Sequence, residues 1–139
     1  MGAATGAQAR NDAAAAERPL GPALRRGLRG LCPSCGKAPI LHRYLKVRDH
    51  CTACNEALHH HRADDGPTYV TLLIASHVLG PVMLAYYGIA EPDPLIALVI
   101  LSLAATAMTL TLLPRVKCAF VALQWAKRMH GFGSPGDEC

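Results

Sequence analysis

The hydrophobic and polar positions divide the chain into a polar N-terminal part, a long apolar middle and a mixed C-terminal part. Between Pro67 and Leu113, 47 positions contain only two charged residues, Glu91 and Asp93. Within this stretch, residues 67–89 and 95–113 are uncharged runs of 23 and 19 residues. As helices they are about 34 and 28 Å long, enough to cross the hydrocarbon core of a bilayer. The pattern therefore predicts a two-helix transmembrane hairpin over residues 67–113, joined by an acidic turn.

The charge distribution predicts how this hairpin is oriented. All fourteen Lys and Arg residues lie outside residues 67–113, on the N-terminal and C-terminal sides. The positive-inside rule then places both termini in the cytoplasm and the turn on the other side. A buried soluble hairpin is the alternative, but too few residues remain to cover two such helices. We therefore expect a multi-pass membrane protein, with the lipid bilayer as its first partner.

The flanking segments carry weaker patterns. Residues 1–30 combine an Ala-rich tail, expected to be disordered, with a short basic segment that has Leu at helical spacing. That segment is either an amphipathic helix on an anionic membrane surface or a solvated linker. Residues 114–139 predict an amphipathic helix that begins at Pro114 and lies at the inner membrane interface, followed by a tail.

Four of the six cysteines form two pairs with metal-ligand spacing. Cys32 and Cys35 are separated by two residues, as are Cys51 and Cys54, and fifteen residues lie between the pairs. This arrangement is typical of a structural zinc site with four thiolate ligands. Residues 31–62 are therefore expected to form a cytoplasmic zinc ribbon of short strands and turns. The fold class is this ribbon followed by an all-α membrane hairpin and an interfacial helix.

Other uses of paired cysteines fit less well. No signal peptide is visible, so a reducing compartment and free thiols are expected. Neither pair is followed by the His of a c-type haem site, and the βαβ context of a thioredoxin-like dithiol is absent. An iron–sulfur centre stays open, because it also uses four thiolates. Four thiolates fill every position on Zn²⁺, so we predict no catalytic residues and no enzymatic activity.

A second group of metal-binding residue types precedes the first span. Three consecutive histidines are followed by two aspartates, residue types that bind transition metals. The alternative is a solvated loop in which Asp65 caps the first helix and Pro67 lies in its first turn. The candidates for a second metal site or a partner contact are His59, His61, Asp64 and Asp65.

One ionisable residue, His77, lies near the middle of the first span. Such a residue is a functional-site candidate by default. Ser102, Thr106 and Thr109 share one face of the second span, and a hydrogen bond from His77 across the hairpin would satisfy the imidazole. The alternative is that His77 faces a partner protein or a haem, so it joins the candidates for a partner contact.

Several segments together carry a resemblance to a known family. They are CPSCGK at 32–37, CTACN at 51–55, HHHRADDGPTYVTLLIASHV at 59–78 and LPRVKCAFVALQWAKRMHGFG at 113–133. Over roughly residues 25–133 the chain resembles the DUF983 family, small bacterial membrane proteins of unassigned function. The resemblance implies a zinc ribbon followed by a two-helix hairpin in the bacterial inner (cytoplasmic) membrane. Asn55 departs from the family, which usually has Gly there. In some bacteria, genes of this family lie beside those for cytochrome c oxidase and its assembly factors.

These observations lead to one preferred function and two alternatives. The resemblance implies a non-enzymatic accessory or assembly factor, or a small subunit, of respiratory cytochrome c oxidase, with the zinc ribbon as docking head. The first alternative is copper or haem handling by the histidines and aspartates. The second is a thiol redox sensor that uses Cys32 and Cys35. No nucleic-acid partner is expected, because the membrane rule already explains the basic residues.

Overall fold

The computed structural model describes residues 18–62 and 65–132. Within them the chain forms three α-helices and a short 3₁₀ helix, and a loop-rich segment of residues 31–62 lies between the first and second helices. The elements are α1 (Leu20–Leu28), α2 (Gly66–Ala90), α3 (Pro94–Ala126) and the 3₁₀ helix Met129–Gly131. The predicted tails fall mostly outside the described residues. We call residues 31–62 the cysteine module.

The cysteine module lacks the short strands that the sequence predicted, as far as the described residues extend. It contains three isolated antiparallel bridges: Leu31 with Pro39, Leu41 with Val47, and His50 with Ala57. The chain turns again within a few residues of each bridge, so no segment is long enough for a regular ladder of about 3–10 residues. Two buried side chains, Ile40 and Leu58, fill its centre instead.

The helices α2 and α3 form an antiparallel hairpin with most of its surface unpaired. Their most apolar windows are only 11% and 6% buried inside the chain. A core helix of a soluble protein would be mostly buried, whereas these two helices have little protein cover. Both are also long and apolar enough to cross a membrane. Asp93, in the turn between them, caps the N-terminus of α3, because its carboxylate accepts from Leu95 N at 2.8 Å.

The predicted separate helix that begins at Pro114 is wrong, because α3 continues through Pro114 to Ala126. Proline has no N–H, so the carbonyl of Leu110 loses its usual donor four residues later. The hydroxyl of Tyr44, in the cysteine module, donates to that carbonyl. A contact 66 residues away in sequence thus satisfies the one acceptor that Pro114 leaves free, and the helix is not interrupted.

A double-mutant cycle on Tyr44 and Pro114 tests this compensation. Tyr44→Phe is expected to cost about 1–2 kcal/mol of stability, because it leaves the Leu110 carbonyl without a donor. In a Pro114→Ala background the helix supplies its own N–H, so the same change is expected to cost nearly nothing. Thermal unfolding in detergent measures all four proteins. Additive effects of the two substitutions would show that Tyr44 does not compensate for Pro114.

The basic segment before the module forms α1, which packs against the C-terminal part of α3. Ala23 and Gly27 are the buried residues of α1. A Cβ added at Gly27 would lie 2.6 Å from Ala122 Cβ and 2.8 Å from the Cys118 carbonyl oxygen. This contact was not expected from the sequence. Glycine is needed here because the two helix backbones approach closely.

Two alanine substitutions in α1 separate packing from helix propensity. Gly27→Ala is expected to destabilise the protein by about 1–3 kcal/mol, because the added methyl group overpacks the contact with α3. Gly21 has nothing within 4 Å of an added Cβ, and the ring of Pro22 offsets the helix propensity that Ala gains, so Gly21→Ala is expected to change stability by less than about 0.5 kcal/mol. Thermal unfolding of the detergent-solubilised proteins compares them. Equal shifts would mean that α1 does not pack on α3.

Candidate metal centre

The two cysteine pairs form two turns of the same design. Gly36 N donates to Cys32 O and Asn55 N donates to Cys51 O, each at 2.9 Å. Gly36 and Asn55 both adopt left-handed backbone, with φ of 67° and 57°. Asparagine tolerates this conformation better than most residues with a Cβ, so the departure from the family's usual Gly leaves the turn intact. The two turns place their four sulfurs facing one another.

The sulfur positions match a single tetrahedral ion. The Sγ atoms of Cys32 and Cys54 are 3.8 Å apart, and those of Cys35 and Cys51 are 3.7 Å apart. All four sulfurs lie within 4.8 Å of one another. A tetrahedron with metal–sulfur bonds of about 2.3 Å has sulfur–sulfur edges of about 3.8 Å. The cluster can therefore hold one metal ion.

Local hydrogen bonds and burial shift the pKa values of two of the cysteine thiols in opposite directions. Lys37 N donates to Cys35 Sγ at 3.5 Å, and this backbone hydrogen bond lowers the pKa of Cys35 to about 6. Burial raises the pKa of Cys32 to about 12. Metal binding needs thiolates. Cys35 is thus the thiol most ready to ionise, and Cys32 is the one that most needs the ion's positive charge.

The first turn is held by a side chain from α1. Arg26 Nη1 donates to the carbonyls of Pro33 and Ser34 at 3.0 and 2.8 Å. A Cβ added at Gly36 would lie 3.0 Å from Arg26 Nε. Four thiolates around a divalent ion carry a formal charge of −2, so the guanidinium also supplies a compensating positive charge close by. Arg26 therefore links the packing of α1 to the shape of the metal site.

The second turn is held by the far end of α3. Cys51 N donates to Glu56 O at 2.9 Å, and the Glu56 carboxylate accepts from Trp125 Nε1 at 2.9 Å. Arg18 lies over the Trp125 ring at 4.5 Å and pairs with Glu56 at 3.7 Å. The Trp125 ring is 7% exposed. Because this network is partly buried, it fixes the second turn against α3 more firmly than a fully exposed ion pair would.

Two further contacts fasten the cysteine module along α3. The buried side chain of Gln124 accepts from Arg62 N at 2.9 Å and donates to Arg62 O, so both backbone groups of Arg62 are paired. Lys117 Nζ donates to Leu45 O at 2.7 Å. With Tyr44 and Trp125, these contacts span residues 110–125 of α3. The module is thus attached to the helix at several levels.

The residues predicted for a second site are not brought together. Within residues 18–62 and 65–132, the four cysteines are the only group of three or more His, Cys, Asp or Glu residues whose ligand atoms converge. His61 Nδ1 lies 2.9 Å from Leu58 O, and His59 stacks on His60 with ring centroids 4.0 Å apart. Asp65 lies at the N-cap position of α2 with Pro67 in the first turn, as predicted, but its side chain makes no cap hydrogen bond. Asp64 lies outside the described residues.

The predicted contact of His77 across the hairpin is also wrong. His77 Nδ1 lies 2.8 Å from Leu73 O, one turn earlier in its own helix. The carbonyl four residues earlier is within reach of any suitable side chain on a helix, and Thr106 likewise donates back to Ser102 O at 2.8 Å. Both helices thus satisfy these polar side chains internally. His77 itself is exposed on the surface of α2.

Asn55 offers a direct test of the turn design. Asn55→Gly is expected to leave metal affinity unchanged or slightly raised, because glycine adopts the left-handed region without strain. Asn55→Val is expected to cost about 1–2 kcal/mol, because a β-branched side chain is strained there. Competition with a chelator of known affinity measures the difference. Equal affinities of the Gly and Val variants would show that the turn does not require this conformation.

The side chains that position the metal site were not identified as such from the sequence. Arg26, Tyr44 and Glu56 lie in segments with no motif, and each acts through a partner distant in sequence. Gln124 and Trp125 gave a signal, because they were among the residues that carry the family resemblance. Their role became clear only from the contacts with Arg62 and Glu56.

Comparisons with known proteins agree with the resemblance. The family model described as "Protein of unknown function (DUF983)" matches residues 41–125. This range includes the second cysteine pair, both apolar helices and the Gln124–Trp125 contacts with the module. No curated protein and no solved structure matches the chain.

Proposed function

This chain belongs to the DUF983 family, and from that premise we propose that it is a non-enzymatic membrane protein that docks a rigid zinc-binding head against a membrane complex. The observation that carries the proposal is the firm attachment of a closed four-thiol site to one long helix. The Glu56–Trp125 and Gln124–Arg62 contacts join the site to α3. A head joined in this way transmits the position of the hairpin to whatever it binds.

Zinc is the metal that we propose for the four cysteines. The sulfur separations of 3.7 and 3.8 Å fit a tetrahedral ion, and four thiolates at this spacing are the usual structural zinc ligands. In that state Cys32, Cys35, Cys51 and Cys54 occupy all four positions. No position is left for a water or a substrate, which is why we propose a structural role.

The proposed location is a bilayer crossed by α2 and α3, with the cysteine module on the cytoplasmic side. The low internal burial of both helices supports this, since unpaired apolar surface needs a lipid partner. Helix α3 is 33 residues long, or about 50 Å. About 20 residues suffice to cross the hydrocarbon core, so the last part of α3, where Arg115 and Lys117 begin the charged segment, extends out of the membrane and carries the module.

The proposed contact surface for the partner is an apolar cleft in the hairpin. A cleft of about 630 Å³ lies between α2 and α3, and His77 is not among its lining residues. Six of these residues are Ser76, Gly80 and Met83 from α2, and Leu98, Ser102 and Ala105 from α3. Small residues allow close approach of another helix in a membrane, and the serine hydroxyls offer hydrogen bonds. We propose that a transmembrane helix of the partner complex occupies the cleft.

Cytochrome c oxidase is the partner that the family resemblance implies, either as a complex under assembly or as the finished enzyme. The test is to purify an epitope-tagged chain from native membranes in mild detergent and to identify the proteins that accompany it. Stoichiometric oxidase subunits would indicate a small subunit, and a low yield with assembly proteins would indicate an assembly factor. The absence of respiratory proteins would overturn this choice of partner.

Matched variants test the cleft separately. Ser102→Leu fills the cleft and is expected to reduce the yield of co-purified partner at least about tenfold, the effect of about 1.4 kcal/mol. Ala104→Leu adds the same side chain at an exposed position of α3 outside the cleft and is expected to leave the yield unchanged. Equal yields from the two variants would overturn docking in the cleft without affecting the zinc site.

A second candidate function, copper handling, is favoured by one observation. The rings of His50 and His59 are 5.3 Å apart, and His59 stacks on His60 at 4.0 Å. These imidazoles lie beside the second cysteine turn, and imidazole is a good copper ligand, although within the described residues their ligand atoms do not converge as the four sulfurs do. Copper titration of the zinc-loaded protein separates the two functions. Binding weaker than micromolar would remove copper handling, and a tightly held zinc ion would remove the redox-sensor alternative.

A further inference from the structure

Residues 41–47, which we call the arm, extend from the cysteine module toward the middle of α3. The Leu41–Val47 bridge closes the base of the arm, and His42 N donates to Lys46 O at 3.0 Å within it. Its tip contacts α3 twice: Tyr44 donates to Leu110 O, and Leu45 O accepts from Lys117. Leu110 and Lys117 are seven residues apart, about two turns, so they share one face of the helix. The arm lies along that face.

The position of the Tyr44 contact along α3 gives the depth of the arm. Leu110 is sixteen residues after Pro94, the first residue of α3, which corresponds to about 24 Å along the axis. The hydrocarbon core is about 30 Å thick. If α3 enters the core at its N-terminus, as the proposed function requires, Leu110 lies about 6 Å inside the inner boundary. The tip of the arm then reaches the level where acyl chains meet lipid headgroups.

The side chains of the arm suit that level. Tyr44 is 50% exposed, and tyrosine prefers the membrane interface because its ring is apolar and its hydroxyl is polar. His42, Arg43 and Lys46 are exposed. The arm contains two basic residues, Arg43 and Lys46, and no acidic residue. On α3, the exposed Arg115 adds a further positive charge at the same end of the span.

From this depth and charge we propose that the arm is a lipid anchor that binds the phosphate headgroup of an anionic phospholipid, with Arg43 and Lys46 as its phosphate contacts. Tyr44 has two roles in this arrangement. Its hydroxyl occupies the Leu110 carbonyl that Pro114 leaves free, and its ring rests against the first methylenes of the lipid. The anchor fixes the distance of the cysteine module from the membrane. This inference rests on the proposed membrane span of α3.

A charge-matched pair of double variants tests the phosphate contacts in the full-length protein. Arg43→Ala/Lys46→Ala removes two charges from the arm. Arg25→Ala/Arg29→Ala removes two exposed charges from α1, which packs near Ala122, about 12 Å further along α3 than Pro114. Native mass spectrometry of protein extracted from phosphatidylglycerol-containing vesicles counts the retained lipid. Both variants must first retain the wild-type metal content.

The expected result is a selective loss of lipid from the arm variant. A basic residue near an anionic surface strengthens binding about fivefold, so the arm variant should bind phosphatidylglycerol about 30-fold more weakly. The α1 variant should bind it as the wild type does. Equal loss in both variants would show a diffuse charge effect and would overturn the proposal, as would unchanged retention in the arm variant. The proposal would also be overturned if the purified protein carried a second protein, at stoichiometric yield, on the arm in place of lipid.

A fluorescence measurement tests the depth independently. The wild type has a single tryptophan, Trp125, buried against the cysteine module and expected to resist quenching. Tyr44→Trp adds a second indole at the tip of the arm, and phospholipids brominated near the headgroup should quench the added emission by more than half. An added emission that is not quenched would overturn the proposal. Carbonate extraction of the wild type tests the span itself, so a protein that resists extraction while the added indole stays unquenched would refute the arm alone.

Discussion

Replacing Cys51 with serine is expected to abolish metal binding and to unfold the cysteine module while α2 and α3 remain helical. Cys51 is 3% exposed and lies opposite Cys35 in the cluster. Serine is a poor ligand for a soft thiolate site. Structural zinc sites contribute about 10–16 kcal/mol of apparent binding free energy, which exceeds the total stability of a small domain. The module has few buried side chains of its own, so it is not expected to fold without the ion.

The measurement is the metal content per chain, together with the helical signal in circular dichroism. The wild type is expected to hold one zinc ion per chain, and Cys51→Ser less than about a tenth of that. Cys118→Ala is the matched control. Cys118 is equally buried, at 1% exposed, but lies in the contact of α1 with α3, and its loss should leave the zinc content unchanged. A full zinc complement in Cys51→Ser would refute the four-thiolate site.

The parts of this structure that were predictable from sequence are those set by local spacing. The x2 separation of Cys32 from Cys35 already requires a tight turn, and residue types with left-handed preference, Gly36 and Asn55, follow each pair. The two apolar runs were likewise recognisable, because each is long enough to cross a bilayer. The DUF983 family model matches residues 41–125, which contain the second cysteine pair and both apolar runs.

The parts that were not predictable depend on contacts between distant residues. Pro114 normally ends or begins a helix, and nothing near it in sequence shows that Tyr44 will satisfy the carbonyl of Leu110. Gly27 lies in a helix–helix contact only because Ala122 lies opposite it. Both outcomes depend on a pair of residues that no periodicity connects. The prediction for His77 failed for a local reason instead, because the Leu73 carbonyl, one turn earlier in the same helix, lies 2.8 Å from its Nδ1.

Trp125 connects the metal site to α3, and Trp125→Ala is expected to have the second largest effect. Truncating a buried Trp costs about 3–5 kcal/mol. The change also removes the donor to Glu56 and the ring beneath Arg18, whose guanidinium donates to Trp125 O at 3.0 Å. Glu56 provides the carbonyl that accepts from Cys51 N. The loss is therefore expected to reach the second cysteine turn and to loosen its hold on the metal.

The rate of zinc release to a chromogenic chelator measures this coupling. A loss of about 3 kcal/mol corresponds to release at least about 100-fold faster in Trp125→Ala, because the module opens more often. Trp125→Phe keeps an aromatic ring but no donor, so it should cost only about 1 kcal/mol, or about a fivefold faster release. Glu56→Gln keeps an acceptor for Trp125, so its rate of zinc release should lie closer to the wild-type rate than that of Trp125→Ala. Release from Trp125→Ala at the wild-type rate would mean that the module holds its metal independently of α3, and the proposal of a docking head fixed to the hairpin would lose its physical basis.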